Sequence, residues 1–173
     1  MIQIKTPRLL LTPAEDIKLF VDEMMRSHVA IQPNIYARSD VTFDLRDDQF
    51  VLWMSDLRSG AHRGGLSIHG IDENTGKYEI GYWLKPEFCG EGLAREAVIV
   101  LCEVLFERYR AKKIEIRCDS RNEPSIRLAK DLGFAPEAVW SGKDVTDGAM
   151  RRSLIFARYD AKGFPSLIQR GKT

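Results

Sequence analysis

Apolar and polar residues alternate with a period of two between Lys77 and Lys85. Tyr78, Ile80, Tyr82 and Leu84 fall on one side; Glu79, Gly81, Trp83 and Lys85 fall on the other. That period predicts a strand from Lys77 to Leu84. Pro86 lacks a backbone donor and ends it. Past Gly90 and Gly92 the period changes. Ala97, Val98, Leu101, Val104 and Leu105 recur at helical spacing and predict a helix from about Leu93 to Glu107.

The remaining pattern extends both ways from this unit. Gly64 to Ile71 reads as a strand, joined to the next by the turn-forming loop Asp72 to Gly76. Lys113 to Cys118 alternates, with Ile114, Ile116 and Cys118 on one face. Asn122 is a candidate cap for a short helix carrying Pro124 in its first turn, and Gly133 is a candidate stop. Glu137 to Ser141 and Arg152 to Tyr159 are strand candidates. Near the start, Arg8 to Leu11 reads as a strand. Thr12-Pro13-Ala14-Glu15 then reads as a capping box, leading a helix with Ile17, Phe20, Val21 and Met24 on one face. A second helix is predicted from Asp47 to Arg58, with Phe50, Val51, Met54 and Leu57 on one side. This order predicts an α+β fold, a mixed and largely antiparallel sheet flanked by helices.

The junction at Gly90 and Gly92 carries the first chemistry. Glycines let the backbone turn sharply and approach a ligand. A helix N-terminus presents N–H groups without partners and the positive end of the helix dipole. The segment therefore predicts phosphate binding.

Composition narrows the rest. The 173 residues are expected to form a single domain, 1–173, with a loose tail after about residue 161. Twenty-six basic against 25 acidic residues leave a net charge of +1, which gives no case for a nucleic-acid or membrane partner. No apolar run reaches the ~20 residues of a spanning helix, and the N-terminus lacks a signal-peptide layout. Cys89, Cys102 and Cys118 are scattered and do not cluster with histidines, so no metal site and a cytoplasmic location are expected.

Three pieces together resemble the GNAT acetyltransferase superfamily, in its ribosomal-protein N-terminal (RimJ/RimL-like) branch. They are Glu79-Ile80-Gly81-Tyr82-Trp83-Leu84 with the turn Gly90-Glu91-Gly92-Leu93-Ala94; Ile114 to Asp119 followed by Asn122 and Ser125; and Leu132-Gly133-Phe134. The resemblance implies a three-layer α/β/α sandwich and an N-acetyltransferase that uses acetyl-CoA and no metal. The acceptor it implies is a primary amine, a protein N-terminus or a small molecule, attacked directly in a ternary complex. A monomer or homodimer is compatible with it.

The resemblance also implies roles. Pantetheine would lie between the strand ending at Leu84 and the strand ending at Cys118, against the backbone of Trp83 and Leu84. The pyrophosphate would meet the turn Cys89, Gly90, Glu91, Gly92, Leu93, Ala94 and Arg95. Asn122 would bond the pantetheine arm. Ser125 would protonate the departing thiolate. Asp144 matches the general base of the branch, with Glu115 and Glu79 as rival carboxylates. One position departs from the family pattern Gln/Arg-x-x-Gly-x-Gly/Ala: its first residue is Cys89. A long polar contact to phosphate is lost, and the backbone donors remain. A thiol at a helix N-terminus is also a candidate for a lowered pKa and a mixed disulfide with coenzyme A. An α-amine, with a pKa near ~7.8 against ~10.4 for lysine, costs roughly 3.5 kcal/mol less to deprotonate. A weakly placed base therefore suits a protein N-terminus. A non-catalytic acyl-CoA-binding module is the alternative from another class.

Overall fold

The computed structural model describes residues 3–31, 50–143, 148–164 and 167. Eight strands form one sheet in the order β1-β2-β3-β4-β5-β6-β8-β7. They are β1 (Ile4–Lys5), β2 (Leu9–Pro13), β3 (Phe50–Asp56), β4 (His62–Asp72), β5 (Lys77–Leu84), β6 (Lys113–Asp119), β7 (Ala135–Lys143) and β8 (Met150–Arg158). Neighbours pair antiparallel except β5 and β6, which are parallel. A parallel pair needs a crossover, and α2 (Leu93–Glu107) supplies it. The other helices described are α1 (Ile17–Ile31) and α3 (Glu123–Asp131).

The sheet has helices on both faces, and strand alternation shows how. Leu52 and Met54 of β3 pack with α2 and α3, in a core that includes Leu9, Leu11, Leu66, Ile80, Ile114, Ile116 and Phe156. Their neighbours Val51 and Trp53 point the other way, into a smaller core with Phe20 and Met24 of α1 and Trp83 of β5. Side chains of successive strand residues alternate across a sheet, so the two cores lie on opposite faces. The predicted three-layer α+β arrangement is present.

Two predicted elements are different. Phe50–Asp56 is a strand and not part of a helix from Asp47 to Arg58; residues 47–49 lie outside the described part. Phe50, Val51, Met54 and Leu57 do fall at helical spacing. However, Val51, Leu52, Trp53 and Met54 are all buried, because β3 sits inside the sheet with a core on each face. A continuous apolar run is what such a strand requires. The capping box is also displaced. Thr12 and Pro13 pair with Trp53 and Leu52 in the sheet, and α1 begins four residues after Pro13. Its cap is Asp16, whose Oδ1 accepts from the Leu19 N–H at 2.9 Å, an interaction of about 1 kcal/mol.

After Ala161 the chain folds back on β8. Arg158 donates to the carbonyls of Leu132, Asp160 and Lys162, and its guanidinium lies 3.8 Å from the centre of the Phe164 ring.

Candidate active site

β5 and β6 share only four ladder pairs, Lys77↔Lys113 to Ile80↔Ile116. Beyond them β5 continues to Leu84 against β4 alone, and β6 continues to Asp119 against β8 alone. The sheet is split there. The Lys85 N–H donates to the Arg63 carbonyl of the β4 side at 2.9 Å. Backbone groups alternate direction along an antiparallel strand, so the N–H groups of Tyr82 and Leu84 turn away from β4 and toward the split. Trp83 turns its backbone to β4. Its ring is buried against Phe20 and Trp53, with centroids 5.5 and 6.0 Å away. The side chain of Trp83 is thus core, and the donors facing the split belong to its neighbours.

The turn follows directly. Pro86–Phe88 forms one 3₁₀ turn. Gly90 and Gly92 then take φ values of 83° and 77°, in the left-handed region that side chains avoid. A Cβ on Gly90 would meet nothing within 4 Å, and on Gly92 only the Arg8 guanidinium at 3.6 Å. Gly90, Glu91, Gly92 and Arg95 are exposed and Ala94 is half-buried, while Leu93 is anchored in the core. The first turn of α2 thereby opens to solvent with its N–H groups uncapped by any side chain.

Sequence reasoning missed what holds this turn. Glu96, buried in the first turn of α2, accepts from the Thr6 hydroxyl, from the Arg8 N–H at 2.9 Å and from the Arg8 Nε at 2.7 Å. Arg8 also donates to the Glu91 carbonyl at 2.8 Å. Burial pushes the Glu96 carboxyl up, and these donors outweigh it, so its pKa lies below the ordinary value. The signal was present as Thr6-Pro7-Arg8 beside an acidic residue in an apolar helix face.

Across the split, Asn122 caps α3 and is buried; its Oδ1 accepts from the Ser125 N–H at 3.2 Å. The Tyr82 hydroxyl donates to the Ser125 carbonyl at 3.4 Å and ties β5 to α3 over the gap. Ser125 is half-buried beside that contact. Cys118 lies at the gap end of β6, where burial pushes its thiol up to about 11. Arg95 lines a cavity of about 500 Å³ with Asp131, Gly133, Arg158 and Phe164.

Cys89 is exposed, with its Sγ 3.7 Å from the Lys85 carbonyl. Burial and the charge of Glu87 raise its pKa. Burial, and after it the Glu87 charge, therefore works against the lowered thiol pKa expected at a helix N-terminus. Glu115 is buried and ion-paired, with Lys113 Nζ at 2.8 Å and Lys77 Nζ at 3.6 Å. Lys113 also reaches Glu137 at 2.6 Å. Burial pushes the Lys113 ammonium down, but its hydrogen bonds to Glu115 and Glu137 hold it above the lysine value. Asp144 lies outside the described residues. Among the described residues no group of three or more His, Cys, Asp and Glu is placed to hold a metal. No described helix is long and apolar enough to cross a membrane.

Comparison with known proteins finds relatives in sequence and in fold. A Bacillus subtilis (strain 168) protein named "Putative ribosomal N-acetyltransferase YdaF" is 33% identical over 81 residues, 47% of this chain and 44% of that protein. "Uncharacterized N-acetyltransferase p20" of Bacillus licheniformis is 36% identical over 94 residues, 54% of this chain and 53% of that protein. The chain thus spans about half the length of the curated relatives it matches. A solved structure of RimL, a ribosomal alpha-N-protein acetyltransferase in complex with coenzyme A, has the same fold. Its TM-score is 0.71 at 18% identity, covering 91% of this chain and 98% of that one. The model of the acetyltransferase (GNAT) domain matches residues 8–135, and the chain belongs to that family.

Proposed function

We propose that the protein transfers the acetyl group of acetyl-CoA to a primary amine, and that the amine is a protein N-terminus. One observation carries the transfer: the split between β5 and β6 opens beside an uncapped glycine turn. An extended, amide-bearing chain fits the split, and a pyrophosphate fits the turn. The Leu84 and Tyr82 N–H groups are the donors for the thioester carbonyl and the pantetheine amides, and Leu84 is the one nearest the turn. The backbone from Gly90 to Arg95 takes the phosphates. Asn122 serves α3 as its cap, and Ser125 is the residue we assign to return a proton to the thiolate. Glu115, closed in by two lysines, supports the sheet and is not free to act as base.

The choice of an N-terminal amine rests on two supports. The names of YdaF and RimL point to ribosomal and α-amino substrates, and an α-amine costs roughly 3.5 kcal/mol less to deprotonate than a lysine.

The test is thiol release from acetyl-CoA. Peptides with free Ser, Ala or Met N-termini are set against spermidine and glucosamine. Peptides are expected to turn over fastest. Ser125→Ala is expected to lower kcat by about 100-fold, with coenzyme affinity within about twofold. A protein that binds coenzyme A and acetylates none of these amines, even at pH 9, is a binding module and overturns the proposal.

A further inference from the structure

On the face of the split opposite Tyr82 and Cys118 stands a second polar cluster. The register pairs His69 of β4 with Glu79 of β5. Their side chains meet, with His69 Nε2 3.1 Å from Glu79 Oε1. Arg117, the β6 residue just past the last β5–β6 pair, brings its Nε within 3.4 Å of the same oxygen. Burial pushes the Glu79 carboxyl up; the hydrogen bond from His69, with the charges of His69, Arg117 and Lys77, more than offsets this and keeps it ionised.

An ionised carboxylate on Nε2 fixes the imidazole tautomer. In the neutral ring Nε2 carries the proton and Nδ1 presents a lone pair; the charged ring, which strengthens the contact with Glu79, is the form reached once Nδ1 has taken a proton. The ring lies over Gly81, where a Cβ would come 3.4 Å from His69 Cε1 and 2.6 Å from Ser67 Oγ. Gly81 is the first β5 residue beyond the ladder. A side chain there would collide with Ser67 and crowd the ring, so glycine is what lets His69 lie over the strand at this point. The His69 side chain is 31% exposed while Glu79 beneath it is 13% exposed. A strand rises about 3.3 Å per residue, so the ring stands about 10 Å from the donor at Leu84, a distance filled by a bridging water, the amine and the thioester carbonyl in series.

We propose that His69, held by Glu79, is the general base for the acceptor amine, which enters from this face while the thioester lies in the split. The inference rests on the acetyl-transfer reading above. His69 Nδ1, directly or through one water, takes a proton from the ammonium. The freed nitrogen forms the N–C bond to the acetyl carbon, and the C–S bond breaks. The thiolate leaves with the second nitrogen proton, which passes through the Ser125 hydroxyl. His69 then returns its proton to solvent. The sum is ammonium and acetyl-CoA in, amide, thiol and one proton out. Glu79 and Arg117 are positioning residues. His69 faces Glu79, and Glu79 in turn feels the charges of Arg117 of β6 and Lys77 of β5.

The experiment measures acetylation of an Ala-initiated peptide from pH 5 to 9. A base that takes the ammonium proton must itself be unprotonated, so wild type is expected to lose kcat toward acid along a one-proton limb. H69Q is expected to move that limb to the amine's own range at ~7.8 and to lose kcat by about 100-fold, with coenzyme A affinity within twofold. Added imidazole is expected to restore part of the activity of H69G. E79Q is expected to lower kcat in the wild-type background and to do nothing further in H69Q. Retention of the limb in its wild-type range and of kcat in H69Q, with wild type active, overturns this inference and leaves acetyl transfer intact. An inactive wild type that still binds coenzyme A overturns acetyl transfer itself. A folding defect is excluded by requiring unchanged urea midpoints; if H69Q unfolds, the H69G rescue decides, and no rescue overturns the assignment.

Discussion

The two faces of β5, where it leaves β6, are built differently. On the α2 face, Tyr82 and Leu84 pack on the main core, and the polar work falls to backbone N–H groups and to the cap of α3. On the α1 face, Glu79 sits among His69, Arg117 and Lys77, and Glu115 among Lys113 and Lys77. The first face is specified by conformation, through a ladder that stops, two glycines at positive φ and one asparagine. The second is specified by side-chain identity. A backbone site tolerates substitution at exposed positions, which is why Cys89 can stand in the turn. A site made of paired charges does not, and under the proposal above the second face is the one that would select the acceptor.

The sharpest way to break this contrast is to deform the backbone face. Gly92→Val places a branched side chain at φ 77°, a conformation that costs about 1–2 kcal/mol. It also turns the first N–H groups of α2 aside. Coenzyme A affinity by calorimetry is expected to fall about 100-fold, about 2.7 kcal/mol. Retained affinity would mean that side chains, not backbone, hold the phosphates.

A smaller loss is expected from the support beneath the turn. Glu96→Ala leaves Thr6 and Arg8 without their acceptor. Removing one partner of a fully buried pair costs about 3–5 kcal/mol; Arg8 is half exposed, so about 2 kcal/mol is expected in urea unfolding. Glu96 has a lowered folded pKa. Its contribution is therefore present above the ordinary carboxylate value and is lost as pH falls through the folded pKa. Glu96→Gln is expected to flatten the acid limb of stability below about pH 4.5. An unchanged acid limb would show that the three donors do not hold the carboxylate.

The smallest effect tests the tolerance itself. Cys89→Arg restores a long polar side chain at an exposed position. About 0.5–1 kcal/mol is expected for such a contact, a two- to fivefold gain in coenzyme affinity. A gain of 100-fold would show that the backbone alone is insufficient.

The same contrast explains what the sequence disclosed. The strand at Lys77–Leu84, the helix at Leu93–Glu107 and the Asn122 cap follow from local rules of period, glycine and capping, and the structure places each of them as read. β3 was misread because an interior strand with both faces covered has no period, and its apolar run happened to match helical spacing. The cap at Asp16 was displaced because Thr12 and Pro13 are recruited by the sheet, a tertiary demand that outweighs local propensity. The pairing of His69 with Glu79 and Arg117 could not be read at all. It depends on the register of three strands, and a shift of one residue would send each side chain to the other face. Glu115 was legible as an ion-paired residue from its neighbour Lys113, but not the second lysine, which comes from β5.

The split in the sheet has a consequence for the kind of molecule that can fill it. Edge strands are normally kept at the periphery and blunted there, because their unmet backbone groups recruit other strands. This protein carries two such edges in its interior, facing each other past Ile80 and Ile116. A compact or purely hydrocarbon occupant would leave those rungs empty, whereas a thin, extended one with its own amides would act as a borrowed length of strand. Filling the gap would then also be a way of finishing the sheet.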